Sequence, residues 1–243
     1  MNLDKNVIEV WHVETPEQLE RDAENQIIKY LSADEKMKLA EFQMPAVKTE
    51  YLVTRALLRF CLSNFYRMPP NKFEFSKEPL SRPTLISMGL PHEIHFSISH
   101  TQGLISCAFS CFPEMGIDVE NVQKRIEIID LVTNVLSGEE FVQFNSTTSS
   151  QQKTLFFKLW TAKEAYLKAH GLGLIDNLSD ISFNINLEKD QVDLVRGVSP
   201  REDTASWAFV MSTPTPQHQM TLAFKKRKSD PTQVIHHFAA LPF

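Results

Sequence analysis

Glycine is scarce in this chain, with seven among 243 residues. A Rossmann crevice or a P-loop needs several glycines in one turn so that backbone N–H groups can approach phosphate oxygens. Neither GxGxxG nor GxxxxGK followed by Ser or Thr occurs, so any phosphate binding has to come from side chains or a metal. Cysteine is scarcer still. Cys61, Cys107 and Cys111 are an odd set without disulfide-framework spacing, which fits a reduced compartment. Cys107 and Cys111 have no second pair at the spacing that a closed four-ligand zinc site requires. An excess of positive charge is also missing: 25 Lys+Arg stand against 30 Asp+Glu, a net −5. That balance denies the chain the field that nonspecific nucleic-acid binding draws on. There is no run of about 18 uncharged apolar residues, and the start MNLDKNVIEVWHVE has no basic stretch followed by an apolar one. The expectation is a cytoplasmic protein with neither a membrane nor a nucleic acid as partner.

What is present describes a folded protein of one or two domains, since 42% of the residues are hydrophobic and domains run to roughly 100–200 residues. The N-terminal part reads as helical, with Thr15-Pro16 as a helix start. Ser32-Ala33-Asp34-Glu35 is a capping box before a short helix that Pro45 ends. A longer helix follows over residues 47–66. From residue 93 the hydrophobic period changes to two, and the strands at 94–99, 104–109 and 115–119 are expected to form one small sheet. Ser137-Gly138-Glu139-Glu140 is a second capping box, residues 145–152 read as a polar loop, and a helix over 153–170 is stopped by Gly171. Short strands alternate with turns after that, near 181–187, 191–196, 206–212 and 218–224. Helices followed by strands thus occur twice, which suggests an α+β protein of two halves, 1–112 and 113–243.

Three clusters carry chemistry: FSISHT at 96–101, GIDVE at 116–120 and WTAKEAYLK at 160–168. Side chains two apart on a strand share a face, so Asp118 and Glu120 lie side by side while Ile117 and Val119 point the other way, into a core. Carboxylates aimed together repel unless a cation neutralises them. Oxygen donors without His or Cys favour a hard cation, Mg2+ before Zn2+. By itself a DxE strand is more often a solvated polar face. Trp160, Glu164 and Lys168 recur at i, i+4 and i+8 and line one helix stripe. This is either an ordinary surface ion pair beside a core Trp, or a third carboxylate with a point charge for a phosphate oxygen. His100 stands just past a strand end, as a phosphate contact or simply as an exposed histidine.

Together, in this order and spacing, FSISHT, GIDVE and WTAKEAYLK resemble the signature motifs of the Sfp-type 4'-phosphopantetheinyl transferases, specifically the branch with Trp and Lys-Glu-Ala in the last motif. The resemblance covers about residues 31–174. It implies two similar α+β subdomains related by a pseudo-twofold axis, with the site in the cleft between them. It also implies Mg2+, with Mn2+ as the alternative, coenzyme A as substrate, and an acyl or peptidyl carrier protein as partner, acted on by a monomer. The phosphopantetheine arm would pass to a carrier serine and release 3',5'-ADP. By motif, Asp118 and Glu120 would bind the metal, and Glu164 would be a third metal ligand or, directly or through water, the base that takes the serine proton. Lys168 would hold the pyrophosphate. His100 would meet the 3'-phosphate, with Ser99 near the adenine, and Arg82 in Ser81-Arg82-Pro83 would line the nucleotide pocket.

Lys38, Lys48 and Arg55 are further candidates for the substrate's phosphates, and each reads equally as a solvated surface charge. Two departures stand out: Ser81 replaces a glycine usual before the basic residue, and Glu50 stands near where a basic phosphate contact is common. Two other functions use the same residues. One is a metal-dependent phosphodiesterase, which calls for a separate base or second metal cluster that the sequence does not offer. The other is a non-catalytic module that binds coenzyme A or a carrier, which the loss of a carboxylate or of Lys168 would favour. The basic run Lys225-Lys226-Arg227-Lys228 reads as a solvated tail.

Overall fold

The computed structural model describes residues 3–76, 83–86, 90, 92–124, 128–172, 178–189, 191–227 and 232–241. The chain forms two units, Met1–Pro113 with Asp230–Phe243, and Glu114–Ser229.

The first unit opens with a strand, not a helix: β1 (Val7–Glu14). The Thr15-Pro16 helix start is not taken up, and α1 (Arg21–Ile27) begins only at Arg21. In α2 (Ala33–Glu41) the Ser32 hydroxyl accepts from the Glu35 amide while the Glu35 carboxylate accepts from the Ser32 amide, so the capping box is complete. Pro45 opens the next helix instead of ending this one. It occupies the first turn of α3 (Pro45–Tyr66), where a missing N–H costs nothing. Strands β2 (His95–Thr101) and β3 (Leu104–Ser110) form a hairpin whose turn holds Gly103 at φ 89°. Leu52, Val53, Ala56 and Leu57 of α3 form a core with Ile105, Cys107 and Phe109 of β3.

The second unit begins with β4 (Met115–Asn121), then α4 (Ile128–Val135), α5 (Gly138–Ser146) and α6 (Ser149–Ala169). The polar stretch expected as a loop at 145–152 is mostly the end of α5 and the first turn of α6. Gly171 at φ 69° follows α6. Next come β5 (Ser182–Asn186), β6 (Gln191–Arg196), β7 (Trp207–Ser212) and β8 (His218–Lys225), near the expected positions. β4 pairs with β8 and β8 with β7 in one antiparallel sheet, and β5–β6 is a separate hairpin. The expectation that β2, β3 and β4 share a sheet is therefore corrected, because the partners of β4 lie a hundred residues downstream.

The chain then returns to the first unit as β9 (Gln233–Phe238), which pairs parallel with β1. The first sheet runs β2-β3-β1-β9. β9, expected in the second half, thus completes the sheet of the first unit.

Each unit repeats one buried device. In the first, the capping-box Glu35 accepts from Arg59 Nε of α3 at 2.6 Å, and Arg59 Nη1 donates to the carbonyls of Pro70 and Phe73 at 2.7 and 3.0 Å. In the second, the capping-box Glu140 accepts from Lys163 Nζ of α6 at 2.6 Å. Lys163 Nζ also donates to the carbonyls of Val135, Ile181 and Leu178 at 2.6, 2.8 and 3.1 Å. Removing a charge from water costs several kcal/mol unless each of its hydrogens finds a partner. Here the partners are a helix cap and the carbonyls of connecting segments, so each buried cation ties a long helix to the loops around it. Burial lowers the Lys163 pKa, and the Glu140 carboxylate opposes that shift.

Candidate functional site

The site of the second unit starts from one glycine. A Cβ on Gly116 would come within 3.0 Å of the Ala165 carbonyl oxygen and of the backbone of Lys168 and Ala169, so strand β4 touches the helix backbone at this point. Asp118 and Glu120 alternate with Ile117 and Val119 and share the face of Gly116. In register, Asp118 lies opposite Thr221 of β8, and Thr221 Oγ1 is 2.8 Å from Thr161 Oγ1 of α6. Thr161, Glu164, Ala165, Lys168 and Ala169 form the i, i+3, i+4, i+7, i+8 face of α6. Small residues on that face close the gap and the two long ones reach the carboxylates.

Lys168 Nζ donates to Asp118 Oδ1 at 2.7 Å. Asp118 is buried and Lys168 partly exposed, so the ion pair spans the rim of the site. Lys124, in the turn after β4, donates to Glu120 Oε2 at 2.6 Å. Burial, then the neighbouring Asp118 charge, pushes the Glu164 pKa up to about 7 against the pull of Lys168, with Glu120 adding to the rise. Three carboxylates therefore feel one another while two ammonium groups neutralise two of them.

Oxygen-only donors on two packed elements, with one negative charge in excess, fit a hard dication. Among the described residues, no three His, Cys, Asp or Glu side chains are drawn together as a ready chelate. The reason is visible in the pairs: Asp118 faces Lys168 and Glu120 faces Lys124. Trp160, on the expected stripe, is only partly buried and packs edge-to-face on Phe156 at 5.5 Å.

The sequence-derived candidates of the first unit are more scattered. His100 Nδ1 lies 3.1 Å from Glu50 Oε1, so the suspected departure at Glu50 is in direct contact with the suspected phosphate contact. Ser99 is buried in β2, opposite Ser106. Lys48 is held by Glu24 at 2.6 Å. Lys38 and Arg55 approach the Tyr51 ring at 5.8 and 5.7 Å from its centroid, and Arg55 Nε is 3.8 Å from Glu35. Arg82 lies outside the described residues.

Sequence reasoning missed Lys124, Arg59 and Lys163. Lys124 carried a signal, four residues after Glu120, that a strand-based reading discards. The buried cations carried one too, 24 and 23 residues after the capping-box glutamates.

These features define an α+β protein whose second unit carries a carboxylate–lysine site on a strand and a helix in close contact. Residues 114–223, nearly the whole of that unit, match the family model of the 4'-phosphopantetheinyl transferase superfamily. The chain is 30% identical over 144 residues to the 4'-phosphopantetheinyl transferase HetI of Nostoc sp., covering 59% of this chain and 61% of that protein. It is 27% identical over 172 residues to the 4'-phosphopantetheinyl transferase Sfp of Bacillus subtilis, covering 71% and 73%. The chain thus spans about three fifths of the length of HetI. Among solved structures, the holo-(acyl-carrier-protein) synthase of Bacillus anthracis in complex with CoA (3',5'-ADP) aligns with 47% of this chain and 97% of its own, at 16% identity and a TM-score of 0.39. No helix of the described residues is long and apolar enough to cross a membrane.

Proposed function

We propose that the protein transfers the 4'-phosphopantetheine arm of coenzyme A to a serine of an acyl or peptidyl carrier protein, with Mg2+, releasing 3',5'-ADP. The observation that carries this reading is the convergence of Asp118, Glu120, Glu164 and Lys168 on the β4–α6 contact, inside the stretch that matches the superfamily.

In this reading the carrier serine oxygen forms a bond to the phosphorus that bears the pantetheine arm. The bridging P–O bond breaks, and its electron pair leaves with 3',5'-ADP. Such transfers need little covalent help from the protein, so positioning and charge neutralisation supply most of the acceleration. Asp118, Glu120 and Glu164 would hold the cation, which would supply charge neutralisation for the pyrophosphate. Lys168 leaves Asp118 for the pyrophosphate and offsets the charge that grows on the departing group. Glu164 takes the serine proton, directly or through water.

The His100 Nδ1 faces Glu50, which leaves its Nε2 as the nitrogen for the 3'-phosphate, and Lys38 and Arg55 both approach the Tyr51 ring in the same unit. The test is intact-mass spectrometry of an apo acyl carrier protein, and separately an apo peptidyl carrier protein, with coenzyme A and Mg2+. The expected result is a gain of one phosphopantetheine that EDTA abolishes. No gain on either carrier, with no coenzyme A binding by calorimetry, would overturn the reading.

A further inference from the structure

The carboxylates of the β4–α6 site are not idle. Lys168 holds Asp118 at 2.7 Å and Lys124 holds Glu120 at 2.6 Å. Lys168 belongs to the helix motif and has a role in the transfer. Lys124 has none assigned, and it binds the outer carboxylate, Glu120, while both partners remain partly exposed. A dication held by Asp118 and Glu120 draws on the negative charge that the two ammonium groups already offset, so each lysine opposes its binding.

We propose that Lys124 is a built-in competitor of the metal: it neutralises Glu120 in the unloaded site, and its ion pair weakens when the cation arrives. This rests on the metal-dependent transferase reading and extends it to a positioning residue outside the motifs. The consequence is an exchange of charges. A bound cation would weaken both ion pairs and leave the two ammonium groups beside a polyanionic substrate that can accept them. Without a phosphate-bearing ligand, those two charges would be less well matched by their carboxylates. The site is therefore built to take metal and pyrophosphate together, and each raises the affinity for the other, as linkage requires. Lys124 is placed to set the size of that coupling, since it is the more exposed lysine and has the shorter chain path to its carboxylate.

The readout is Mn2+ binding to the whole protein, followed by the loss of free-Mn2+ signal in electron paramagnetic resonance, with no substrate present. Lys124→Gln should bind Mn2+ about two- to fivefold more tightly than the wild type, the weight of a partly exposed ion pair. Lys124→Arg, which keeps the charge, should bind like the wild type. Lys153→Gln controls for net charge: it removes a lysine from α6 about 16 Å along the helix from Glu164 and should leave Mn2+ affinity unchanged. Equal affinities for wild type and Lys124→Gln would overturn the competitor role and leave the metal site standing. A shift of the same size in Lys153→Gln would assign the effect to bulk charge and overturn it too. If neither wild type nor Lys124→Gln binds Mn2+, the metal reading falls and this inference falls with it.

Discussion

Asp118 and Glu164 sit in one cluster but under different constraints, and their variants should separate chemistry from folding. Asp118 is buried against a partly exposed lysine, so Asp118→Asn removes a charge that Lys168 can replace with water. Burial, and then the Asp118 charge, push the Glu164 pKa up, so Glu164→Gln removes a partly buried charge together with that repulsion. Both variants are expected to lose metal-dependent transfer by a hundredfold or more, of the order seen when a charge-stabilising group is removed. Both should unfold within about 1 kcal/mol of the wild type in urea. The pairing is checked by assaying carrier mass gain and urea midpoints on the same preparations. Full activity in either variant would remove that residue from the metal and base roles. The i, i+2 and i, i+4 placements of these residues were legible in the sequence, because strand and helix periods fix them locally. Their present partners were not, since Lys168 meets Asp118 across fifty residues and only the folded β4–α6 contact brings them together.

At the scale of elements, Gly116 decides whether β4 and α6 can touch. Its Cβ would strike helix backbone, which cannot swing aside as a flexible side chain can. Gly116→Ala should push α6 off the strand, separating Glu164 and Lys168 from Asp118. The expected outcome is a loss of about 2–4 kcal/mol, typical of a severe overpacking clash, together with loss of transfer. A melting temperature within a degree of the wild type would show that the helix has room to move.

Lys163 makes a contrasting case. It adjoins Glu164 in the same motif yet faces Glu140 and three carbonyls, wholly buried. Lys163→Met leaves the Glu140 charge without its cation and is expected to cost about 3–5 kcal/mol, a loss seen in the unfolding midpoint before it is seen in kcat. Both capping boxes were plain in the sequence from their Ser-x-x-Glu spacing. Their second task, gripping a buried cation on the long helix of each unit, was hidden because it depends on a contact more than twenty residues away.

Across the whole molecule, the least legible feature is the return of the chain. β9 pairs with a strand more than two hundred residues earlier, and no local pattern records such a partner. For the same reason β1, which pairs with β9 on one side, read as part of a helical region. The pairing buries an imidazole: His12 Nε2 lies 3.0 Å from His236 Nδ1, and His12 Nδ1 lies 2.9 Å from Ser106 Oγ. Burial, and then the charges of His236 and His237, lower the His12 pKa to about 4 from 6.5. Burial also lowers the His236 pKa, in the same direction. The unfolded chain therefore binds more protons than the folded one below pH 6.5, so stability rises with pH in this window and is lost as pH falls toward 4. For His12 alone the loss is roughly 3 kcal/mol. Deleting residues 232–243 removes β9 and both partner histidines, and it turns β1 into an exposed edge that leaves His12 open to water. The truncated chain should be less stable at pH 7.5 but should lose less on acidification, so the urea midpoints of the two chains converge between pH 6.5 and 4. Parallel curves across that range would mean that the acid sensitivity arises elsewhere and that β9 contributes pairing alone.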